Sequence, residues 1–215
     1  MNWKRARTDE KKSERKDAIY EAAFTLFKKN GYDKVSFNGI ATEAGFTKSN
    51  MYRYFSSKEE IFLNVFGDLF QSWFEDCTAR LKNLEQNATI ESFAKTWVDS
   101  LIAHPQFLDL TPLLFLSLEK NSSFDQLLTF KRMSKDLLYR ITIDISRVYP
   151  DIQNEKAFRF LTLSYAAMAN YWAANSQSEP LIKIYQLEEF KELKPNFEHD
   201  LTTSIEVILK GLKAP

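Results

Sequence analysis

Thr47, Lys48, Ser49, Asn50, Tyr52 and Arg53 fall in one short stretch, "TKSNMYR", and each carries a hydrogen-bonding or charged group. Lysine suits the acceptor edge of guanine, asparagine pairs bidentately with adenine, and serine or threonine can serve either. The set is equipped to meet base edges and phosphates. Ser36, Thr47 and Ser57 stand where helices would begin, so backbone N–H groups open toward anions there. Lys58 lies in the first turn of the helix that follows Ser57, where a bound phosphate is favoured and a lysine otherwise is not. Enzymatic chemistry is poorly served by comparison. His104 and His199 are far apart, Cys77 is the one cysteine, and "HExxH", a glycine-rich phosphate loop and a nucleophile elbow are all missing from the chain. The carboxylates fall on polar faces, so no catalytic residue, metal site or cofactor is expected.

The elements around this stretch read as helices almost throughout. Five glycines and six prolines punctuate 215 residues, and apolar residues recur at spacings of three and four with no lasting alternation. The fold class is therefore all-α, with about nine helices. The first is expected from about Asp9 to Asn30, with Ile19, Ala22, Ala23, Leu26 and Phe27 on one face and Gly31 as its stop. Ser36 caps a second helix that buries Ile40, Ala41 and Ala44 and ends at Gly45. Thr47 caps a short third, turning Met51 and Phe55 inward and the polar set outward. The glycine-containing turn "EAGFT" between them is what a helix-turn-helix requires.

Ser57 and Glu60, at capping-box spacing, begin a long fourth helix that keeps its rhythm from Phe62 to Leu84. A fifth (Ile90 to Leu101) stops at His104 and Pro105, and a sixth starts with Pro112. Ser123 and Gln126 form a second capping box for a seventh helix ending at Pro150. An eighth runs from about Asn154 to Asn175, and a last one carries Leu201, Ile205, Ile208, Leu209 and Leu212. Between those two, "SQSEPLIKIYQLEEFKELKPN" reads as a loop with some helix.

Net charge is zero, but it is divided unevenly. Residues 1–58 hold 13 Lys+Arg against 7 Asp+Glu, a net of +6, and residues 59–215 hold 16 against 22, a net of −6. The two parts attract different partners. Lone Cys77 fits a reducing compartment and a small core residue. No apolar run approaches the roughly 18 residues of a membrane span. The basic start, "MNWKRARTDEKKSERK", lacks the apolar segment of a secretory signal, so a cytoplasmic protein is expected.

The stretch from Ala18 to Phe66 closely resembles the DNA-binding region of the tetracycline-repressor (TetR) family of bacterial transcription regulators. The resemblance rests on Gly31 and Tyr32, Ser36, Ile40 and Ala41, Ala44 to Thr47, Met51 and Tyr52, Tyr54 and Phe55, and Lys58. It implies that Lys48, Ser49 and Asn50 read bases, with Thr47 at the helix start. Tyr52, Tyr54 and Lys58 would hold phosphates, helped by the start of the second helix around Ser36, Phe37 and Asn38, with Arg53 alongside. The basic arm from Lys4 to Lys16 has two readings, a contact to phosphates or the minor groove and a solvated tail.

The resemblance also implies a division into a helix-turn-helix DNA-binding domain, 1–58, and a helical regulatory and dimerisation domain, 59–215. It implies a homodimer that reads a palindromic operator in double-stranded DNA, as a repressor released by a small hydrophobic or aromatic effector. The eighth and last helices are the expected interface, with Ala166, Ala169, Asn170 and Ala173 near one face of the eighth. Trp73, Trp97, Phe115, Phe130, Tyr165, Met168 and Trp172 are the large side chains expected to line a ligand cavity. The rival class is a helical protein-interaction adaptor, which would show no salt-dependent binding to DNA.

Overall fold

The computed structural model describes residues 3–214, with side chains from residue 14 onward. Among them ten α-helices form and no strand does: α1 (Trp3–Asn30), α2 (Phe37–Glu43), α3 (Lys48–Met51), α4 (Lys58–Lys82), α5 (Ile90–Ile102), α6 (Pro105–Leu110), α7 (Phe124–Val148), α8 (Glu155–Asn175), α9 (Glu179–Ile184) and α10 (Phe197–Lys213). Short 3-10 turns occupy Tyr32–Lys34 and Glu188–Leu193, and a π-helical turn occupies Leu114–Leu118. The backbone of α1 begins at Trp3, earlier than Asp9. In the basic arm, side chains up to residue 13 lie outside the described residues.

The chain forms two compact units. One is built from the chain up to Gly67 together with Leu113–Phe130, and the other from Asp68–Pro112 together with Lys131 onward. Of the three points where the chain passes between units, two fall inside long helices, within α4 and within α7, and the third in the turn after α6.

In the first unit, Ile19 and Ala23 of α1, Ile40 of α2, Met51 of α3 and Phe55 are sealed from solvent. Burial of each such large side chain contributes about 1.5–3 kcal/mol before entropy is counted. Leu26, Phe27 and Ala44, expected beside them, are only half-buried. Gly31 and Gly45 both have positive φ, 77° and 72°. At Gly45 the turn is a full Schellman cap, with Gly45 N–H donating to Thr42 O and Phe46 N–H to Ala41 O. The N–H of Phe46 reaches back five residues, to Ala41, and that fixes the angle at which α3 leaves α2.

In the second unit α10 packs against α8 and α5, and α6 packs against α5 and α8. Its core is aromatic. Phe70, Trp73 and Phe107 stack nearly parallel, and Trp97 meets Trp73 edge-on at 5.5 Å and Phe160 at 5.0 Å. The indole N–H groups are paired even here, Trp73 donating to Ser100 Oγ and Trp97 to Ser164 Oγ. Buried rings are thus held without an unmet donor.

Two expectations are corrected. The sixth helix starts at Pro105, not Pro112, because Pro105 takes the first helical position behind His104 while Pro112 sits in the turn before Leu114. The capping box of Ser123 with Gln126 does not form. The Ser123 N–H donates instead to Glu60 Oε1, and the Gln126 Oε1 accepts from Asn64 Nδ2.

Candidate nucleic-acid interface

Local chemistry explains the shape of the α2–turn–α3 motif. Ser36 Oγ accepts from Gly39 N–H, and Thr47 Oγ1 accepts from Asn50 N–H, so each helix start is capped by its own side chain. Four residues form α3 proper, and hydrogen bonds from Tyr54 and Phe55 N–H to Met51 O carry the turn onward. Met51 (0% exposed) and Phe55 (2%) anchor it from beneath. Thr47, Lys48, Ser49, Asn50, Tyr52 and Arg53 are all exposed. The alternation follows helical spacing, so the inward pair dictates what is left outward.

Tyr52, 55% exposed, lies with its ring 4.9 Å from that of Phe37, and Lys48 Nζ sits 5.9 Å above the Tyr52 ring. The start of α2 and the outer face of α3 are joined by this contact. Ser36 and Asn38 are exposed and Phe37 is half-buried; Asn38 O accepts from Thr42 Oγ1 within α2. Tyr54 is half-buried, its hydroxyl accepting from Arg15 of α1. The structure thus brings ten of the eleven expected residues into the helix-turn-helix and its flanks, each exposed or half-buried.

Lys58 is turned the other way. Its ammonium donates to Tyr32 O at 3.1 Å and Val35 O at 2.9 Å and lies 4.4 Å from the centre of the Tyr32 ring. These carbonyls belong to the turn that leads into α2. The lysine therefore holds the base of the motif in place instead of reaching toward solvent.

Sequence reasoning missed a second layer behind this turn. The Tyr32 hydroxyl lies 2.9 Å from Ser117 Oγ and donates to Glu59. Burial, reinforced by Glu59, pushes the phenol up to about 12. Glu60 accepts from Ser56 N–H and from Ser123 N–H, so one carboxylate serves the approach to α4 and the start of α7. Burial pushes that carboxyl up, but the hydrogen bonds from Ser123 and Ser56 outweigh it and hold it below the ordinary range. The signal was a glutamate at an otherwise apolar position in the first turn of α4.

The family model described as bacterial regulatory proteins, tetR family, matches residues 19–65, and the one described as tetracyclin repressor-like, C-terminal domain, matches residues 68–215. The chain belongs to the TetR family. That family is one of bacterial regulatory proteins. An uncharacterised helix-turn-helix regulator of Bacillus subtilis (strain 168), YfiR, is 28% identical over 94 residues, and the regulator RutR of Escherichia coli (strain K12) is also 28% identical over 94. Each match spans 44% of this chain and 44% of the relative. Among solved structures, the fatty acid degradation regulator FadR from Bacillus halodurans superposes with a TM-score of 0.58 at 15% identity, over 94% of this chain and 97% of that one. A TetR-family regulator from Mesorhizobium loti gives 0.56 at 18% identity, over 93% and 96%. These two likenesses concern the fold.

In this TetR-family chain the seven residues expected around a ligand are divided between the two units. Phe115 and Phe130 belong to the first unit, Phe115 being exposed and Phe130 buried. Trp73, Trp97 and Met168 are buried in the second unit. There Tyr165 and Trp172 are half-buried, donating to Thr111 O and Asp109 Oδ1. An open groove of about 890 Å³ lies along α7 and the start of α8, and none of the seven lines it. Among the described residues no cluster could hold a metal ion, and no helix is long and apolar enough to cross a membrane.

Proposed function

We propose that this regulator is a homodimeric repressor that reads a palindromic operator through α3 and leaves it when a small hydrophobic or aromatic effector binds. The observation that carries the reading is the outward set on α3, with Lys48, Ser49 and Asn50 exposed over a base of Met51 and Phe55. In the major groove Lys48 and Asn50 would meet base edges, with Thr47 and Ser49 assisting. Tyr52, Arg53 and Tyr54, with Ser36, Phe37 and Asn38, would hold phosphates on either side. Lys58 would act behind them by fixing the turn into α2.

One motif touches too few base pairs for regulation, so two are required, related by a two-fold axis. The exposed residues Ala166, Asn170 and Ala173 on α8 allow close approach of a second copy, with half-buried Ala169 beside them. The outward edge of α10 carries exposed Val207. Residues 1–58 would then read DNA and residues 59–215 would dimerise and sense the effector. α4 and α7 are each continuous through both units, so an effector that favours one pose would alter the fit of two recognition helices to successive grooves. The charge division supports work on cytoplasmic, nucleoid DNA by the +6 segment.

Selection of bound fragments from a random duplex pool tests this directly. A recovered palindrome with half-sites about one helical turn apart is the expected result. Recovery of no common sequence, with binding that vanishes at physiological salt, would defeat it.

A further inference from the structure

The connection from α8 to α10 carries an apolar surface that its own chain leaves uncovered. Between Ser176 and Pro195 no residue is buried, although the segment holds α9, a 3-10 turn and seven large apolar side chains. Ile182, Ile184, Leu187 and Leu193 are 45%, 42%, 51% and 65% exposed. A contiguous run of this kind marks a surface that another molecule covers. Its free charge is mainly acid. Glu179 and Glu188 pair with Lys183 and Lys191 inside the segment, which leaves Glu189 and Glu192 without an ion pair, against Lys194 alone.

The open groove along α7 has the complementary character. Cations line it and no carboxylate does, and exposed Lys135 has no ion-pair partner among the described residues. Ser134 beside it is 8% exposed, and its hydroxyl is the one buried side-chain polar atom among the described residues that has no hydrogen-bond partner. Toward the start of α8 the lining turns apolar, with Tyr139, Ile143 and Phe158 all exposed. No part of the lining comes from the α8–α10 connection of the same chain.

The α8 dimer of the proposed function brings these two surfaces together. Phe158 lies on the same exposed face of α8 as Ala166. A two-fold axis crossing that face runs the two α8 helices antiparallel, so the end of one meets the start of the other. For an axis between Ala166 and Asn170, the positions level with Phe158 of the second copy run from Ala174 into α9. The connection is thereby delivered to the mouth of the second copy's groove. From Ser146 to Lys135 the groove follows α7 for about 17 Å, and Ser178 to Glu192 covers about 21 Å even at the helical rise per residue.

We propose that the α8–α10 connection is an exchanged arm, seated in the α7 groove of the second copy. Its apolar side chains lie on Tyr139, Ile143 and Phe158. Glu189 and Glu192 meet Lys135 and give the Ser134 hydroxyl its acceptor. The exchange rests on the α8 dimer of the repressor reading, and it extends that interface from α8 onto α7.

Sedimentation of the full chain over a dilution series, together with site-directed cross-linking, tests the exchange. Leu187→Asp and Ile143→Asp, both at exposed positions, are each expected to weaken the dimer about tenfold or more, with helicity by circular dichroism unchanged. Lys135→Glu should weaken it as well, and Glu189→Lys with Glu192→Lys on the same chain should restore it. In a mixture of two chains of different length, one with Ile143→Cys and the other with Leu187→Cys, a bismaleimide should yield a product of mixed size. A dimer of wild-type strength in Leu187→Asp, or cross-linking confined to single chains that carry both cysteines, would overturn the exchange and leave the α8 dimer standing. Weakening by Ile143→Asp without weakening by Leu187→Asp would assign the groove to another segment of the second copy and overturn it equally. A wild-type chain that sediments as a monomer throughout would overturn the dimer reading and the exchange with it.

Discussion

The Lys58 ammonium donates to the Val35 carbonyl at 2.9 Å, across 23 residues, and to the Tyr32 carbonyl beside it. A surface lysine in the first turn of a helix works against the helix dipole. Here the two carbonyls and the Tyr32 ring offset that cost. The contact pins the turn from which α2 departs, and so the angle at which α3 is offered.

Lys58→Ala is accordingly expected to lower stability by about 1.5–3 kcal/mol, the range for hydrogen bonds to a charged group. DNA affinity should fall for every sequence alike, while the slope of log K against log salt stays as in the wild type. A phosphate contact would lower that slope by about one unit. Thermal melts together with a salt titration on one operator separate the two roles.

Glu60 sets an acid limit to stability. Its carboxyl is held below its ordinary value of 4.5 because hydrogen bonds from Ser123 and Ser56 outweigh burial. For a carboxyl depressed on folding, the stabilisation is complete above the unfolded-state value and is lost as pH falls from there toward the folded value. Urea unfolding should therefore show a midpoint that drops between about pH 4.5 and lower pH. Glu60→Gln should be less stable by about 1–3 kcal/mol at pH 7 and show a smaller drop on acidification. An unchanged acid limb in Glu60→Gln would assign it to other carboxylates.

The motif was legible in the sequence because its determinants are local. Ser36 and Thr47 cap through neighbours three residues on, Gly45 supplies the positive φ of the turn, and Met51 and Phe55 lie one turn apart on the inner face. What escaped depends on partners distant in sequence. Pro105 and Pro112 are equivalent helix starters by composition, and packing of α6 against α5 and α8 selects Pro105. The Ser123 and Gln126 box is locally plausible, yet Glu60 and Asn64, some sixty residues earlier, take both of its groups. Lys58 looks free in the sequence for the same reason. The groove along α7 had no sequence signature either, since the exposure of Tyr139, Ile143 and Phe158 is set by the fold and not by their residue types.

Lys48→Ala should cost about 1–3 kcal/mol of specific affinity and relax preference at one base pair of each half-site. The side chain is exposed and leans over Tyr52, so the fold should be unaffected and the melting temperature should match the wild type. A panel of operators varied one base pair at a time provides the readout. A uniform loss across the whole panel would make Lys48 a phosphate contact.

The dimer proposal depends on small residues where α8 faces outward. Ala166 is exposed, whereas Ala157 and Ser164 on the opposite face are buried in the core of the second unit. Ala166→Glu places a charge on the outer face without disturbing that core, so a monomeric variant is expected to stay folded. If two copies approach there, burying the unpaired carboxylate opposes association strongly. Sedimentation should then report 25.1 kDa in place of a species twice as heavy. Operator affinity should collapse with dimerisation, because half of the contacts are lost, while helicity by circular dichroism stays unchanged. A variant that sediments as a dimer and binds the operator normally would move the interface away from this face of α8.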